Sequence, residues 1–238
     1  YPSMTEFDLE AALDRTEQNP NKTSARLLRE AETLFAKRGF QGVRTRDVAG
    51  AAEVNISTLH FHWKNKRTLY EAVCRWHARL ALAALEQAAQ DFIPNGRPSQ
   101  KQIEGTIDQV VRLLTEHPAM APLALQSVSD QTAPELPSLF QHDVALFRFS
   151  EQSLEKVMSA SGPDPAFSIL SVFYFVIVAF GDSTLQRAAL GGSLLEEPEV
   201  QDRFKRFLTR LLMSLLDDGD PGESAGSLSP LSNGACVD

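Results

Sequence analysis

The stretch from Thr45 to Lys66, TRDVAGAAEVNISTLHFHWKNK, constrains this chain more than any other. Two short apolar patterns flank a corner in it. Thr45 is placed to cap a helix over Arg46–Ala52, with Val48, Ala51 and Ala52 on its buried side and Ala49 small enough for a second helix to come close. Glu53, Val54 and Asn55 make the corner. A second helix is expected from Ile56 or Ser57 to His62, because Ile56, Leu59 and Trp63 recur at i, i+3 and i+7, one stripe of a helix. With that stripe facing a core, the outward side shows Ser57, Thr58, His60, Phe61 and His62. Two short helices joined this way form a helix-turn-helix, whose second helix fits the major groove of duplex DNA.

Charge tests that reading. The whole chain of 238 residues carries a net −8, which argues against a globally basic binder of nucleic acid. The charge is unevenly spread, however. From Lys22 to Arg67 there are ten Lys and Arg against four acids, a net +6, which leaves −14 on the remainder. One basic module on an acidic body is what local phosphate contact requires. The same charges alone would also describe a solvated helix surface, and the helix-turn-helix pattern decides between the two.

The rest of the chain reads as helices separated by Gly and Pro breaks, with no convincing strand and no repeat, so the fold class is all-α. Thr5–Asp14 is a short acidic helix with a Thr5/Asp8 capping pair. Thr23–Arg38 buries Leu27, Leu28, Ala31, Leu34 and Phe35 and stops at Gly39. Asn65 caps a long helix over 66–91 with Leu69, Val73, Trp76, Leu80 and Leu85 on one side. Ser99 and Gln102 form a capping box for a helix to Glu116. Further helices are expected over 118–127, 138–161, 165–190 (capped by Asp164, ended by Gly191-Gly192) and 196–217. Residues 219–238, rich in Gly, Ser, Pro and acid, read as a disordered tail. The expected division is 1–21 extension, 22–67 helix-turn-helix domain, 68–218 helical body and 219–238 tail.

The stretch resembles the DNA-binding half of the tetracycline-repressor (TetR) family. The residues that carry the resemblance are Thr45-Arg46-Asp47-Val48-Ala49, Val54, Thr58-Leu59-His60-Phe61-His62-Trp63, Lys64-Asn65-Lys66 and Leu69, with Ala31, Phe35 and Gly39-Phe40 upstream. Ser57 stands where the family usually has glycine or proline, and His60 where it has tyrosine. The resemblance implies an N-terminal three-helix DNA-binding domain on a larger helical ligand-binding and dimerisation domain, about nine helices in all. It implies phosphate contacts from Thr45, His60 and Lys66, and a base-reaching position at Arg46. The residue chemistry adds to this. Lys66 opens a helix beside free backbone N–H groups, a guanidinium suits guanine O6 and N7, and Thr58 and Phe61 offer a methyl and a ring to thymine methyls. Ser57 and His62 complete the expected DNA-reading set.

Phe167–Phe180 is apolar nearly all round, so a helix there must be buried on more than one side. It is too short and too polar-flanked to span a membrane. The resemblance implies that the last two helices pair with their symmetry mates, which places Val176, Phe204, Phe207 and Leu211 in a homodimer interface. It also implies an effector site in the body, for which Trp76, His77, His117, Phe147, Phe149, Gln152 and Tyr174 are candidate lining residues. The Phe content points to a small apolar or aromatic effector. No cofactor is expected. Cys74 and Cys236 form no expected disulfide, and with no signal peptide the chain reads as a bacterial cytoplasmic protein. His60 and His62 fall on different helix sides, and Cys74 and His77 lack further ligands, so no metal site is expected.

The expected function is therefore a sequence-specific regulator, a homodimeric repressor of a palindromic operator released by its effector. The alternative is a DNA-binding protein of the same build without a small-molecule effector, governed by a protein partner or acting structurally on DNA. An enzyme finds little support. Gly181–Leu185 faintly resembles a serine-esterase block, yet it lies in an apolar helix pattern, with no P-loop, dinucleotide fingerprint or metal tetrad elsewhere.

Overall fold

The computed structural model describes residues 7–92, 98–129 and 164–216. The helix expected over 138–161, with Phe147, Phe149 and Gln152, and the tail expected over 219–238 lie outside the described residues. Among the described residues every regular element is helical. In chain order they are α1 (Leu9–Glu17), α2 (Thr23–Arg38), α3 (Thr45–Ala51), α4 (Ile56–Trp63), α5 (Lys66–Phe92), α6 (Gln100–Glu116), α7 (Met120–Ser129), α8 (Pro165–Gly181), α9 (Ser183–Leu185), which runs into a π turn over Gln186–Leu190, and α10 (Pro198–Leu216).

Local chemistry sets most of these boundaries. Asn65 Oδ1 accepts from Thr68 N at 2.9 Å and opens α5. Ser99 and Gln102 close a reciprocal box at the start of α6, with Ser99 N donating to Gln102 Oε1 at 2.9 Å and Gln102 N to Ser99 Oγ at 3.4 Å. Asp164 Oδ1 accepts from Phe167 N at 3.2 Å and opens α8. Gly39 ends α2 at φ 68°, in the region that favours glycine.

Several boundaries differ from the sequence expectation. α1 begins at Leu9 rather than Thr5 and is capped by Asp8, which accepts from Ala11 N at 3.0 Å; Thr5 lies outside the described residues. Thr45 is the first residue of α3 and Arg44 precedes it as the cap. A guanidinium accepts nothing, so the end is satisfied from within: Asp47 Oδ2 takes the Arg44 amide at 2.9 Å. Ala51 is exposed, and Ala49 takes its place beside Val48 and Ala52 in the core. The long helix expected over 165–190 breaks at Asp182, whose Oδ1 accepts from Thr184 N and Leu185 N at 2.8 and 3.0 Å and so starts a new turn. Gly181, just before the break, lies so near α7 that a Cβ there would stand 3.2 Å from the Ala121 carbonyl oxygen. The Gly181–Leu185 block is thus a helix break between packed helices.

α2, α3 and α4 close around Leu27, Phe35, Val48, Leu59 and Trp63, all buried. α5 is the shared strut, packed against α2 on one side and α6 on another. α7 lies along α8, and α10 along α6, where Lys205 Nζ meets Asp108 Oδ1 at 2.7 Å. α1 is fastened to α5 by charge: Arg79 reaches Asp14 at 2.7 Å and Glu17 at 3.1 Å, and both Arg75 and Arg79 engage Glu10. Burial pushes the Glu10 carboxyl up, but the two guanidinium hydrogen bonds outweigh it and hold the group below its ordinary value. Among the described residues no helix is long and apolar enough to cross a membrane.

Candidate nucleic-acid interface

α4 is hung from the core by two side chains. Leu59 and Trp63 are fully buried, and Trp63 Nε1 donates to the Ser24 carbonyl of α2 at 3.3 Å. Asn55 fixes its first turn, accepting from Thr58 N at 2.8 Å and from Thr58 Oγ1 at 2.9 Å. With the inner stripe held, the outer one faces solvent. Phe61 is 82% exposed, and Arg46, Ser57 and His60 are exposed beside it. Thr45, Thr58 and His62 are half-buried, and burial lowers the His62 pKa. A large apolar ring presented outward from a basic module suits contact with a thymine methyl more than it suits water.

Lys66 departs from the expectation of a side chain free to reach a phosphate. Its Nζ donates to the Phe40 carbonyl at 2.9 Å and the Val43 carbonyl at 3.1 Å, and sits 4.2 Å from the centre of the Phe40 ring. The loop between α2 and α3 leaves carbonyls without helical partners, and an ammonium with three donors supplies two of them. Desolvation lowers the Lys66 pKa there. Sequence spacing places Lys66 at the start of α5, but only the fold places that start against the α2–α3 loop. Lys64, by contrast, is exposed at φ 54° at the end of α4, with its Nζ 5.3 Å from the Phe7 ring centre.

Behind this face lies a polar joint that sequence reasoning found only in part. His77 on α5 is 1% exposed, and its Nε2 meets Glu32 Oε1 of α2 at 2.7 Å. A carboxylate accepts, so the proton is on Nε2; Nδ1 has no hydrogen-bond partner among the described residues. The Trp76 ring lies edge-on to His117 at 5.3 Å, and the His77 and His117 rings are 6.5 Å apart. Burial lowers the His117 pKa, with Glu32 acting against it. A second tie crosses nearby, from Gln126 Nε2 of α7 to the Ala36 carbonyl of α2 at 2.6 Å. Of the expected effector-site residues, the structure therefore brings Trp76, His77 and His117 together. Tyr174 lies on α8 with its ring 5.8 Å from that of Phe173. Glu32, the partner of His77, escaped notice because it lies 45 residues away on a helix read for its apolar stripe.

The expected dimer residues divide. Val176 and Phe204 are buried within the chain itself, Phe204 against Phe180 at 5.5 Å and Phe175 at 5.6 Å, which takes both off the free surface. Phe207 is 51% exposed and Leu211 half-buried. Phe167, at 71%, and Phe175, at 39%, add exposed rings that the sequence reading had not singled out from the apolar run.

A basic head that presents one short helix outward, set on an acidic helical body, has the build of a helix-turn-helix domain carried by a larger helical domain. The chain matches, over residues 27–73, the family model described as bacterial regulatory proteins, tetR family. Two regulators of Bacillus subtilis (strain 168) are similar to it. The HTH-type transcriptional regulator YvkB is 28% identical over 102 residues, covering 41% of this chain and 53% of its own, and the HTH-type transcriptional regulator YerO is 22% identical over 108 residues, covering 41% and 37%. The chain thus spans about half or less of the curated relatives it matches. Among solved structures, the ketosteroid transcriptional regulator KstR2 of Mycobacterium tuberculosis superposes with a TM-score of 0.63 at 15% identity, over 83% of this chain and 97% of that one. The fatty acid degradation regulator FadR from Bacillus halodurans gives 0.60 at 14%, over 81% and 98%. At such identities these two establish the fold, an N-terminal helix-turn-helix domain with a larger helical domain behind it.

Proposed function

We propose that this protein is a cytoplasmic repressor that binds a palindromic operator as a homodimer and leaves it when a small, mainly apolar effector occupies the body. The carrying observation is α4, with Leu59 and Trp63 locked inside and Phe61 presented outward from a module of net +6. In this reading Arg46, Ser57, Thr58, Phe61 and His62 face base edges, while Thr45 and His60 face the backbone. Lys66, expected to meet a phosphate, instead spends its ammonium on the Phe40 and Val43 carbonyls and steadies the α2–α3 loop. The head is residues 22–67 and the effector-binding and dimerisation body 68–218. Phe167, Phe175, Phe207 and Leu211 supply the apolar surface for the second copy, since rings this exposed on adjacent helices are better covered than wet. The polar joint of Glu32, His77 and His117 supports coupling, because it is where a change in the body would reach α2.

A second reading, regulation by a protein partner without a small effector, draws on the same joint: Trp76 packs on both His77 and His117, so these rings fill space for one another.

Selection of bound duplexes from a random pool by the purified protein tests the proposal. A palindrome with half-sites about one helical turn apart is the expected result. No enrichment at low salt would overturn the DNA-reading assignment.

A further inference from the structure

α4 hands over to α5 at Lys64 and Asn65, and this corner is held from outside. Lys64 sits at φ 54°, a backbone conformation that an L residue keeps only where its surroundings fix it. Its ammonium lies over the Phe7 ring, 5.3 Å from the centre. Phe7 leads directly into α1, and α1 is fastened to α5. Arg79 meets Asp14 at 2.7 Å and Glu17 at 3.1 Å, and both Arg75 and Arg79 engage Glu10. A further attachment is to α2. The buried Thr16 and Ser24 hydroxyls are hydrogen-bonded at 3.1 Å, and the Ser24 carbonyl is the acceptor for Trp63 Nε1 of α4. Phe7 and α1 together therefore touch each side of the corner: the end of α4, the start of α2 and the Arg75–Arg79 stretch of α5. We propose that α1 is a strap across the α4–α5 corner that holds the outward helix in the pose that reads DNA, so that loosening the strap weakens DNA binding without unfolding the head. This rests on the DNA-binding reading above and adds a positioning element to it.

Two features give α1 the character of a strap. It has nine residues, and an isolated helix of that length is marginal in water, so its helicity depends on what it touches. Its attachments also divide the work. Leu9, Ala12 and Leu13 are buried and supply adhesion, which is non-directional. The ion pairs supply register. Glu10, Asp14 and Glu17 recur at i, i+4 and i+7, one face of α1, and Arg75 and Arg79 recur at i and i+4 on α5. A guanidinium shared among these carboxylates fixes where along α5 the strap lies. If the three acids were only surface charge, the opposite behaviour would follow. They are negative groups on a head that approaches phosphates, and neutralising them would then tighten DNA binding.

The test uses the full chain and the duplex selected from the random pool. Affinity is read by fluorescence anisotropy at fixed salt, folding by thermal unfolding, and the pose of α4 by hydrogen exchange at its amides. The triple variant Glu10→Gln/Asp14→Asn/Glu17→Gln should bind about three- to tenfold more weakly than wild type, the scale of several partly exposed ion pairs acting together. It should still unfold in one transition, and its α4 amides should exchange faster. Arg79→Gln should weaken binding in the same direction, and adding it to the triple variant should cost little more, because the same pairs are removed only once. Phe7→Ala should give a smaller loss of the same sign. Unchanged or tighter binding by the triple variant, unchanged α4 exchange, or additive losses on combining it with Arg79→Gln overturns the strap and leaves DNA binding standing. Should the triple variant fail to fold, wild-type affinity in both Arg79→Gln and Phe7→Ala overturns the strap. No binding by wild type at low salt overturns the DNA-binding reading and the role of the strap with it.

Discussion

The head and the body of this protein are finished differently. In α2, α3 and α4 the apolar side chains are consumed internally: Leu27, Phe35, Val48, Leu59 and Trp63 are buried, and the one large apolar ring left outside is Phe61, on the outward face of α4. In α8 and α10 apolar rings stay at the surface: Phe167, Phe175 and Phe207 are exposed although Val176, Phe180 and Phe204 are covered. The head keeps a basic polar surface; the body keeps an apolar one. The difference teaches that one chain can be finished in opposite ways, with a head that spends its apolar side chains internally and a body that keeps rings at its surface.

The sharpest way to break the head is at Trp63. Trp63→Ala removes a fully buried ring and the bond to the Ser24 carbonyl, and should cost about 3–5 kcal/mol in thermal or urea unfolding and abolish DNA binding. Near-native stability would mean that α4 is anchored elsewhere. The joint comes next. His77→Leu strands the Glu32 carboxylate in the interior and should cost about 3 kcal/mol, most of it recovered when Glu32→Leu is added. Additive losses in the double variant would show that the two groups do not form a unit. In the body, Phe207→Asp should weaken self-association by more than about thirtyfold, the scale of losing one interface anchor, seen as monomer in sedimentation at micromolar concentration. Wild-type sedimentation would remove α10 from the interface. The smallest effect is at Lys66. Lys66→Met should lower stability by about 1–2 kcal/mol while leaving the salt dependence of DNA binding nearly unchanged. A flatter salt dependence at full stability would return Lys66 to the phosphate set.

What was legible in the sequence follows a rule of distance along the chain. The caps at Asn65, Ser99/Gln102 and Asp164 involve groups three residues apart and were readable, as was the Ile56–Leu59–Trp63 stripe. The misreadings also have local causes. Thr45 is a favoured cap type, yet the Asp47 carboxylate satisfies the Arg44 amide without it. The apolar run through Phe180 concealed the Asp182 break, because hydrophobicity reports burial and says little about where one helix yields to the next.

The sequence by itself determined that the chain is helical, that its basic charge is gathered in one helix-turn-helix, and which faces of those helices are apolar. These are properties of residue order and of the 3.6-residue repeat. Only the tertiary structure decided that Lys66 turns inward, that His77 finds Glu32 across 45 residues, that Arg75 and Arg79 clamp α1 to α5, and that Val176 and Phe204 are spent inside one chain while Phe167 and Phe207 stay outside. Each of these depends on which helices come to lie side by side. A charge or a ring gains its partner through that packing, and residue order alone does not specify it.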